Sequence, residues 1–248
     1  MKRTPRGLLA TLAVMSFLAS CTKQMDHLGN GNDLTAYRIT GFRFLSTGND
    51  TLAFHYDQWG NPVTVTRPNP GTGAPNYEFR YDRYHRLTDF IGIYAGGKAA
   101  TGAEQWHRYF YDAKGFITLD SVYNLVNIVN GTIGSYNNSY ANTLQYDAQG
   151  RVAYETRVWD HITYNYPYNY DSTGNLTGNA YDNKVNFHRT NLIWMFIDRD
   201  YSLNNPFVAK TYNAGRLPLS FTIPGENTHA IFLGDNYYST ADISYALK

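Results

Sequence analysis

The sequence predicts an all-β protein, an antiparallel meander of β-hairpins that curls into an open or barrel-like sheet. Three observations predict it. The 248 residues include 23 Tyr, 13 Phe and 21 Gly, and Tyr and Phe favour pleated strands whereas Gly favours turns. A Tyr-Asp unit recurs along the chain, with alternating apolar residues before it. Long helical periodicity is nearly absent.

The N-terminal segment, residues 1–20, has the organisation of a bacterial export signal. Three basic residues and no acid precede an apolar run from Gly7 to Ala19. This is the pattern of a basic n-region followed by a short h-region. As a helix the apolar run would extend about 20 Å, against a hydrocarbon core of about 30 Å, so the sequence disfavours a membrane span here.

The end of this segment, Leu18-Ala19-Ser20-Cys21, resembles the bacterial lipobox, and Cys21 is the only cysteine in the chain. The resemblance implies cleavage before Cys21, a diacylglyceryl group on its thiol, and a new amino group open to acylation such as palmitoylation. An ordinary signal peptide with a chance cysteine is the alternative. A single thiol excludes an intrachain disulfide framework.

Residues 21–36 are rich in Gly, Asn and charge, and we expect them to form a lipidated, flexible tether. By analogy with lipoprotein sorting, Thr22 after the cysteine favours the outer membrane and leaves the leaflet open. Residues 37–248 are enough for a single β domain.

The charge balance argues against a nucleic-acid partner. Removal of residues 1–20 takes away three of the 21 basic residues and none of the 20 acids, which leaves a net charge of about −2. A near-neutral, slightly acidic body carries no electrostatic footprint for nucleic acid.

The Tyr-Asp unit explains the hairpins as five full copies and one shortened copy. In each full copy Tyr ends a strand, Asp accepts backbone N–H bonds and opens a type I turn, and Gly three residues later supplies positive φ. His85 replaces Gly in the second copy, which His tolerates. The predicted turn residues are Asp57 and Gly60, Asp82, Asp112 and Gly115, Asp147 and Gly150, Asp171 and Gly174, and Gly215 of the shortened copy Tyr212–Arg216.

The residue types in this unit favour structure over ligand binding. Period-two spacing places Leu52, Phe54 and Tyr56 on one face of a strand, so we expect the repeated Tyr to pack against a core rather than stack on sugars. The repeated Asp form turns rather than calcium sites in this interpretation, because Asp-x-x-Gly lacks the alternating acidic ligands of a calcium loop.

The longest step between copies, from Asp171 to Asn213, predicts one short helical or irregular insertion near residues 185–200. Thr190 or Asn191 is a candidate cap for a short helix that ends at Ile197. A buried strand is an open alternative, since an apolar run of six residues does not separate helix from strand.

The Tyr-Asp-x-x-Gly unit resembles the YD repeat of RHS-type proteins. The whole arrangement, over about residues 37–248, resembles small Gram-negative lipoproteins that carry a domain of unknown function with a porin-like or curved-sheet fold. The matching stretches also include Ser202–Pro206 and Tyr212–Pro218. The resemblance implies a curved antiparallel sheet and no reaction. The repeats are too few to enclose a passenger domain as the large RHS-type shells do.

The sequence contains none of the common catalytic or cofactor-binding motifs: no zinc-peptidase motif, nucleophile elbow, phosphate loop or dinucleotide fingerprint is present. We expect His55 and His107 to pack or face solvent rather than bind a metal. Residues Asp198–Tyr201 hold two close acids, and we expect a solvated loop there rather than a glycosidase pair. The prediction is therefore no catalytic, cofactor or metal site.

Three functions stay open. The first is a membrane-anchored envelope lipoprotein that acts as a non-enzymatic binding or structural module toward a glycan or another envelope protein. The second is a glycan-binding accessory protein of a polysaccharide uptake system, which exposed aromatics along a groove would favour; the candidates are Trp59, Trp106 and Trp159. The third is a hydrolase, which converging carboxylates in a cleft or a Ser-His pair would favour.

Overall fold

A computed structural model describes residues 35–45, 50–94, 101–207, 209–222, 233 and 240–248. The predicted signal segment 1–20, the lipidation residue Cys21 and nearly all of the predicted tether lie outside the described residues.

The described residues form one open antiparallel sheet of 13 strands, which confirms the predicted all-β meander. The strands are β1 Tyr37–Phe44, β2 Thr51–Tyr56, β3 Pro62–Thr66, β4 Asn76–Tyr81, β5 Leu87–Ile93, β6 Gly102–Tyr111, β7 Ile117–Val129, β8 Thr132–Ser135, β9 Asn138–Tyr146, β10 Val152–Trp159, β11 Ile162–Pro167, β12 Ser220–Thr222 and β13 Thr240–Leu247. From β1 to β7, each strand pairs with the next strand in the chain. The next strand in the sheet after β7 is β9, and the short strand β8 pairs only with β7 among the described strands. The last strand, β13, returns to pair with β1, so β11 and β12 are the edges.

The Tyr-Asp turns all lie at one end of the strands, which we call the turn rim; the opposite end is the loop rim. In the five Asp turns, the Asp carboxylate accepts the N–H groups of the second and fourth residues after it at 2.8–3.1 Å. The residue three positions after Asp has φ between 62° and 88°, including His85 in the second turn. The strand pairing shifts by one residue beside four of these turns, which is the bulge that the extra residue creates.

Gly215 lies in the sixth turn, as predicted, but the left-handed backbone position of this turn is the next residue. Positive φ falls on Arg216, at 63°, three positions after Asn213, and the Asn213 side chain accepts the N–H of Leu217, so this turn has the same length as the other five. Gly215 is small for another reason, because a Cβ there would come within 2.5 Å of the Tyr37 ring. The strand that follows restarts at Pro218, which forms a bridge with Tyr212.

The repeated Tyr side chains bind one hairpin to the next. The hydroxyl of Tyr81 donates to the carbonyl of Pro62 at 2.5 Å, and that of Tyr146 donates to Ile117 at 2.8 Å. Tyr111 makes the corresponding bond to Leu87 at 2.9 Å. These rings also pack against the larger hydrophobic core, so the repeated Tyr side chains stabilise the sheet.

The insertion is helical, which settles the choice left open above. A 3₁₀ turn, Phe187–Thr190, leads into the helix α1, Leu192–Ile197, and the Asn191 side chain caps α1 by accepting from the N–H of Ile193. Among the described residues no helix is long and apolar enough to cross a membrane.

The sheet curls around this insertion, because aromatic side chains of distant strands all meet it. Phe187 contacts Phe42 of β1, Trp194 contacts Phe54 of β2 and Phe79 of β4, and Phe196 contacts Tyr109 of β6, at ring distances of 5.2–6.0 Å. We call the face that meets the insertion the concave face. Its core is the larger of two buried clusters in the described part of the chain.

Candidate functional site

A cleft of about 300 Å³ lies on the concave face, between the end of the insertion and strands β6, β7, β9 and β10. Its charged lining residues are Asp120, Glu155, Asp198, His107, Arg157 and Arg199. We refer to this feature as the cleft. Three carboxylates therefore face two guanidinium groups and one imidazole across the cleft.

Strand register brings the polar side chains of the cleft into one row. Directly opposed residues on antiparallel neighbours point to the same face of a sheet. Asp120 opposes Tyr109 on one side and Asn142 on the other, and Asn142 opposes Arg157. Four strands therefore place these four residues side by side on the concave face.

Arg199 is a buried cation supplied by the insertion, two residues after α1 ends. Its Nε donates to the Glu155 carboxylate at 3.2 Å, and its Nη2 lies 3.6 Å from that of Asp120. The guanidinium also lies over the Phe196 ring at 4.4 Å. Burial works to lower the pKa of Arg199, but the carboxylates of Glu155 and Asp120 outweigh it and raise the pKa, so the guanidinium stays charged.

His107 bonds to oxygen acceptors through both ring nitrogens. Nδ1 lies 3.0 Å from the Asp120 carboxylate, and Nε2 lies 2.7 Å from Oε1 of Gln105. The Gln105 amide is oriented by its own donation to Asn124 at 3.1 Å, which leaves Oε1 facing the ring. The imidazolium form satisfies both acceptors. Burial works to raise the pKa of Asp120, yet the charge and hydrogen bond of His107, with Arg199, hold that pKa below its ordinary value.

A second polar cluster adjoins the cleft through Asp198. His188 Nε2 lies 2.9 Å from Asp198, and His188 Nδ1 lies 2.9 Å from Asn186, whose amide donates to Asp200 at 3.0 Å. The N–H of Leu233 donates to the other Asp198 oxygen at 2.9 Å. Burial raises the pKa of Asp198 against the opposing effect of His188.

An aromatic strip borders the cleft toward the loop rim and the edge strand. We define the aromatic strip as Tyr140, Trp159, Ile162, Tyr164 and Tyr166. Trp159 opposes Ile162, and Tyr164 and Tyr166 oppose Arg157 and Glu155, so these side chains share the concave face with the cleft. The Arg157 guanidinium lies between the rings of Tyr140 and Tyr166, at 4.8 and 5.2 Å. Trp159 is 48% exposed, so the strip presents open aromatic surface.

The three candidate tryptophans have three different environments. Trp159 lies in the aromatic strip. Trp59 is 61% exposed at the turn rim, where its ring packs on His85 at 4.0 Å. Trp106 is fully buried in the smaller core on the opposite face of the sheet and donates to Asp89 at 2.6 Å. One of the three therefore borders the cleft.

Two expectations about polar residues need correction. Asp198–Tyr201 is not a solvated loop, since Arg199 and Asp200 are each 8% exposed and Tyr201 is 1% exposed. The hydrogen bonds of Arg199 and Asp200 to distant strands and to the 3₁₀ turn hold this segment inside the curved sheet. His107 packs near Phe90 as expected, but its ion pair with Asp120 was not predicted. His55 lies exposed on β2.

The predicted turn residues and the cleft are separate parts of the molecule. On β6, His107 precedes Tyr111 by four residues, which corresponds to about 13 Å along a strand. No turn residue of the six copies lines the cleft. The residues that sequence reasoning missed are Asp120, Glu155, Arg157 and Arg199. Asp120 did carry a signal, because period-two alternation puts its carboxylate on the same face of β7 as the apolar Val122, and a buried carboxylate needs a partner.

Comparisons with known proteins assign no family to this chain. No family model matches it, and no curated protein matches it. Weak structural neighbours are chains in the crystal structures of TcdB2-TccC3-Cdc42 and TcdB2-TccC3-TEV. The first has 13% identity and a TM-score of 0.25, covering 56% of this chain and 9% of that one. The second has 12% identity and a TM-score of 0.27, covering 78% and 11%. Similarity at this level does not indicate a function.

Across the described residues, no group of three or more His, Cys, Asp or Glu is arranged to hold a metal ion.

Proposed function

We propose that this protein is a lipid-anchored, non-enzymatic binding module of a Gram-negative envelope, related to the small YD-repeat lipoproteins, and that the cleft holds its ligand. One observation carries the proposal: a concave cleft with a fixed polar floor lies directly beside an exposed aromatic strip. Binding sites combine apolar or aromatic walls with a few convergent polar groups in this way.

The proposed ligand class is a carbohydrate. A sugar ring offers a face of C–H groups, which suits the faces of Trp159 and Tyr166, and a rim of hydroxyls that both donate and accept hydrogen bonds. Arg157 and Tyr140, which line the cleft, supply donors and acceptors for those hydroxyls. Aromatic side chains with a polar end provide contact area at low entropic cost.

The hydrogen bonds inside the cleft favour binding over reaction. The Glu155 carboxylate is bonded to Arg157 and Arg199, and that of Asp120 to His107 and Asn142. A general acid or nucleophile must present a free oxygen to the reacting atom. These two carboxylates instead hold the cationic groups in place, and the lowered pKa of Asp120 keeps it ionised at neutral pH.

Glycan-array binding by the full-length protein in detergent tests the proposal. We expect Trp159→Ala to reduce binding at least tenfold, because it removes an exposed ring of the aromatic strip. Trp59→Ala is the matched control, since it removes an equally large exposed ring at the turn rim and should leave binding unchanged. No binding to any glycan by the wild type, or equal loss in both variants, would refute the carbohydrate proposal.

A hydrolase is a second candidate, favoured by the convergence of Asp120, Glu155 and Asp198 in one cleft. Burial raises the pKa of Asp198, as a general acid requires, and catalysis would need one of its oxygens to exchange its present bond, to His188 or to the N–H of Leu233, for one to the substrate. Release of reducing ends from a glycan that binds on the array separates the two candidates. Turnover by the wild type and its loss in Asp198→Asn would establish the hydrolase, whereas binding without turnover supports the binding module.

The anchor has its own test. The lipobox-like sequence predicts that a palmitate analogue labels the wild-type protein in cells and that Cys21→Ala abolishes the label. Persistent labelling in Cys21→Ala would contradict lipidation at this residue without bearing on the cleft.

A further inference from the structure

The first strand after the predicted tether, β1, begins at the turn rim. Tyr37 opens β1 beside Leu247, the last strand residue, and Tyr56 at the end of β2 donates its hydroxyl to Ile39. The segment that leads back to Cys21 therefore leaves the sheet at the end that carries the six Tyr-Asp turns.

The exposed residues around this exit point are apolar, aromatic or basic. Leu247 is 66% exposed next to the exit, Trp59 is 61% exposed on the first turn, and Tyr84 is 39% exposed on the second. Arg83, beside Tyr84, and Lys114, on the third turn, are also exposed. We define these five residues as the turn-rim arc. They follow one another in space, because β13, β1, β2, β3, β4, β5, β6 and β7 are successive neighbours in the sheet.

This composition matches the interface of a lipid bilayer. Trp and Tyr concentrate at membrane interfaces, where an apolar ring and a polar group are both accommodated. Arg and Lys add electrostatic attraction to anionic headgroups near the surface. The turn Asp carboxylates that lie between them are occupied by backbone N–H groups and, in the second turn, by Arg86, which limits their repulsion of lipid phosphate.

The length of the connecting segment points the same way. Thr35 lies fourteen positions after Cys21, and a fully extended chain of that length spans about 50 Å. A strand as long as β6 extends about 33 Å. To bring the loop rim to the membrane, the segment would have to use about two thirds of its full extension to pass along the domain, whereas the turn rim requires no such extension.

We infer that the turn rim rests on the bilayer, with the turn-rim arc in the lipid headgroups, and that the cleft and the aromatic strip face away from the membrane. The inference rests on the lipid anchor of the proposed function. It assigns the two exposed tryptophans opposite surroundings: Trp59 contacts lipid, and Trp159 faces the aqueous side and its ligand.

The test uses the lipidated full-length protein in vesicles of phosphatidylethanolamine and phosphatidylglycerol. Trp59→Cys and Trp159→Cys each introduce one thiol for a polarity-sensitive fluorophore, since Cys21 is the only native cysteine and its sulfur is blocked by lipid. Brominated lipids should quench the label at residue 59 at least threefold, and the label at residue 159 by less than a tenth. A label at Tyr84→Cys should behave as that at residue 59.

The outcomes separate the orientation from the anchor. Protein that floats with the vesicles while both labels stay unquenched, or with residue 159 quenched instead, overturns the orientation and leaves the anchor intact. Protein that fails to float, with a reactive thiol at Cys21, refutes the anchor and the orientation together. Intact trypsin resistance of each labelled variant excludes misfolding as the cause of a negative result.

Discussion

The Tyr-Asp hairpins and the insertion satisfy their polar groups in opposite ways. In a hairpin turn, the Asp112 carboxylate bonds to N–H groups two and four residues ahead. In the insertion and the segments that flank it, Asn186 bonds to Asp200, Asn205 bonds to Asp182, and Arg199 bonds to Glu155, across 14, 23 and 44 residues. The hairpins are local structures, whereas the insertion exists because the sheet surrounds it.

The difference explains where the cleft arises. Local turns set the ends of the strands and their register, but they leave the concave face to be filled. The insertion fills it with Trp194 and Phe196 near the middle and with the charged Arg199 beside β7 and β10. The cleft lies where the apolar filling gives way to the ion network, so it belongs to neither region alone.

The largest expected effect comes from removing the cation that joins the two regions. Arg199→Met leaves the carboxylates of Glu155 and Asp120 without their buried partner, which should cost about 3–5 kcal/mol of unfolding free energy. Urea denaturation measures it. Arg43→Met is the control, because Arg43 pairs with Asp242 at an exposed site and should cost less than about 1 kcal/mol. Equal losses would contradict the central role of Arg199.

Acid should weaken the ion network next. The folded-state pKa of Asp120 lies below its ordinary value, so its contribution to stability is present above about pH 4 and is lost as pH falls through the lowered pKa. Asp120→Asn should remove about 1–3 kcal/mol at pH 7 and flatten the decline below pH 4. Denaturation midpoints between pH 2 and 7 check this, and a slope unchanged in the variant would refute it.

A turn should tolerate change better than the network does. Asp112→Ala deprives the N–H groups of Lys114 and Phe116 of their acceptor, and we expect a loss of about 1–2 kcal/mol. Asp112→Asn keeps an acceptor oxygen and should lose less than half as much. The same denaturation assay applies. A loss as large as that of Arg199→Met would show that the hairpins are not local units.

The smallest expected change in stability comes from a substitution that alters only the backbone conformation of a turn. Gly60 has a φ of 82° and open space where a Cβ would lie, so Gly60→Ala tests only the cost of left-handed backbone, about 1 kcal/mol. Gly71 also has open space but no positive φ, and Gly71→Ala should change stability by less than about 0.5 kcal/mol. Thermal denaturation of the pair is sufficient, and indistinguishable midpoints would contradict the turn geometry.

Prediction from the sequence succeeded for features that depend on interactions between residues close together in the chain. The spacing from Tyr to Asp to the left-handed position predicted hairpins, and the alternation of Leu52, Phe54 and Tyr56 predicted the buried face. The sixth copy shows the limit even there, since residue type does not indicate that Arg216 takes the left-handed backbone position. Asp198–Tyr201 shows the larger limit, because its charges are matched by residues on other strands.

The sequence by itself predicted the export signal and the lipobox-like Cys21, and it determined the Tyr-Asp hairpins and the buried face of strands such as β2. Only the tertiary structure decided that Asp120, Glu155 and Arg199 meet, that His107 pairs with a carboxylate, and that the cleft lies far from the repeated turns. The physical reason is range: turns and pleats form through bonds between residues a few positions apart, whereas a buried ion network requires partners that only the curvature of the sheet brings together.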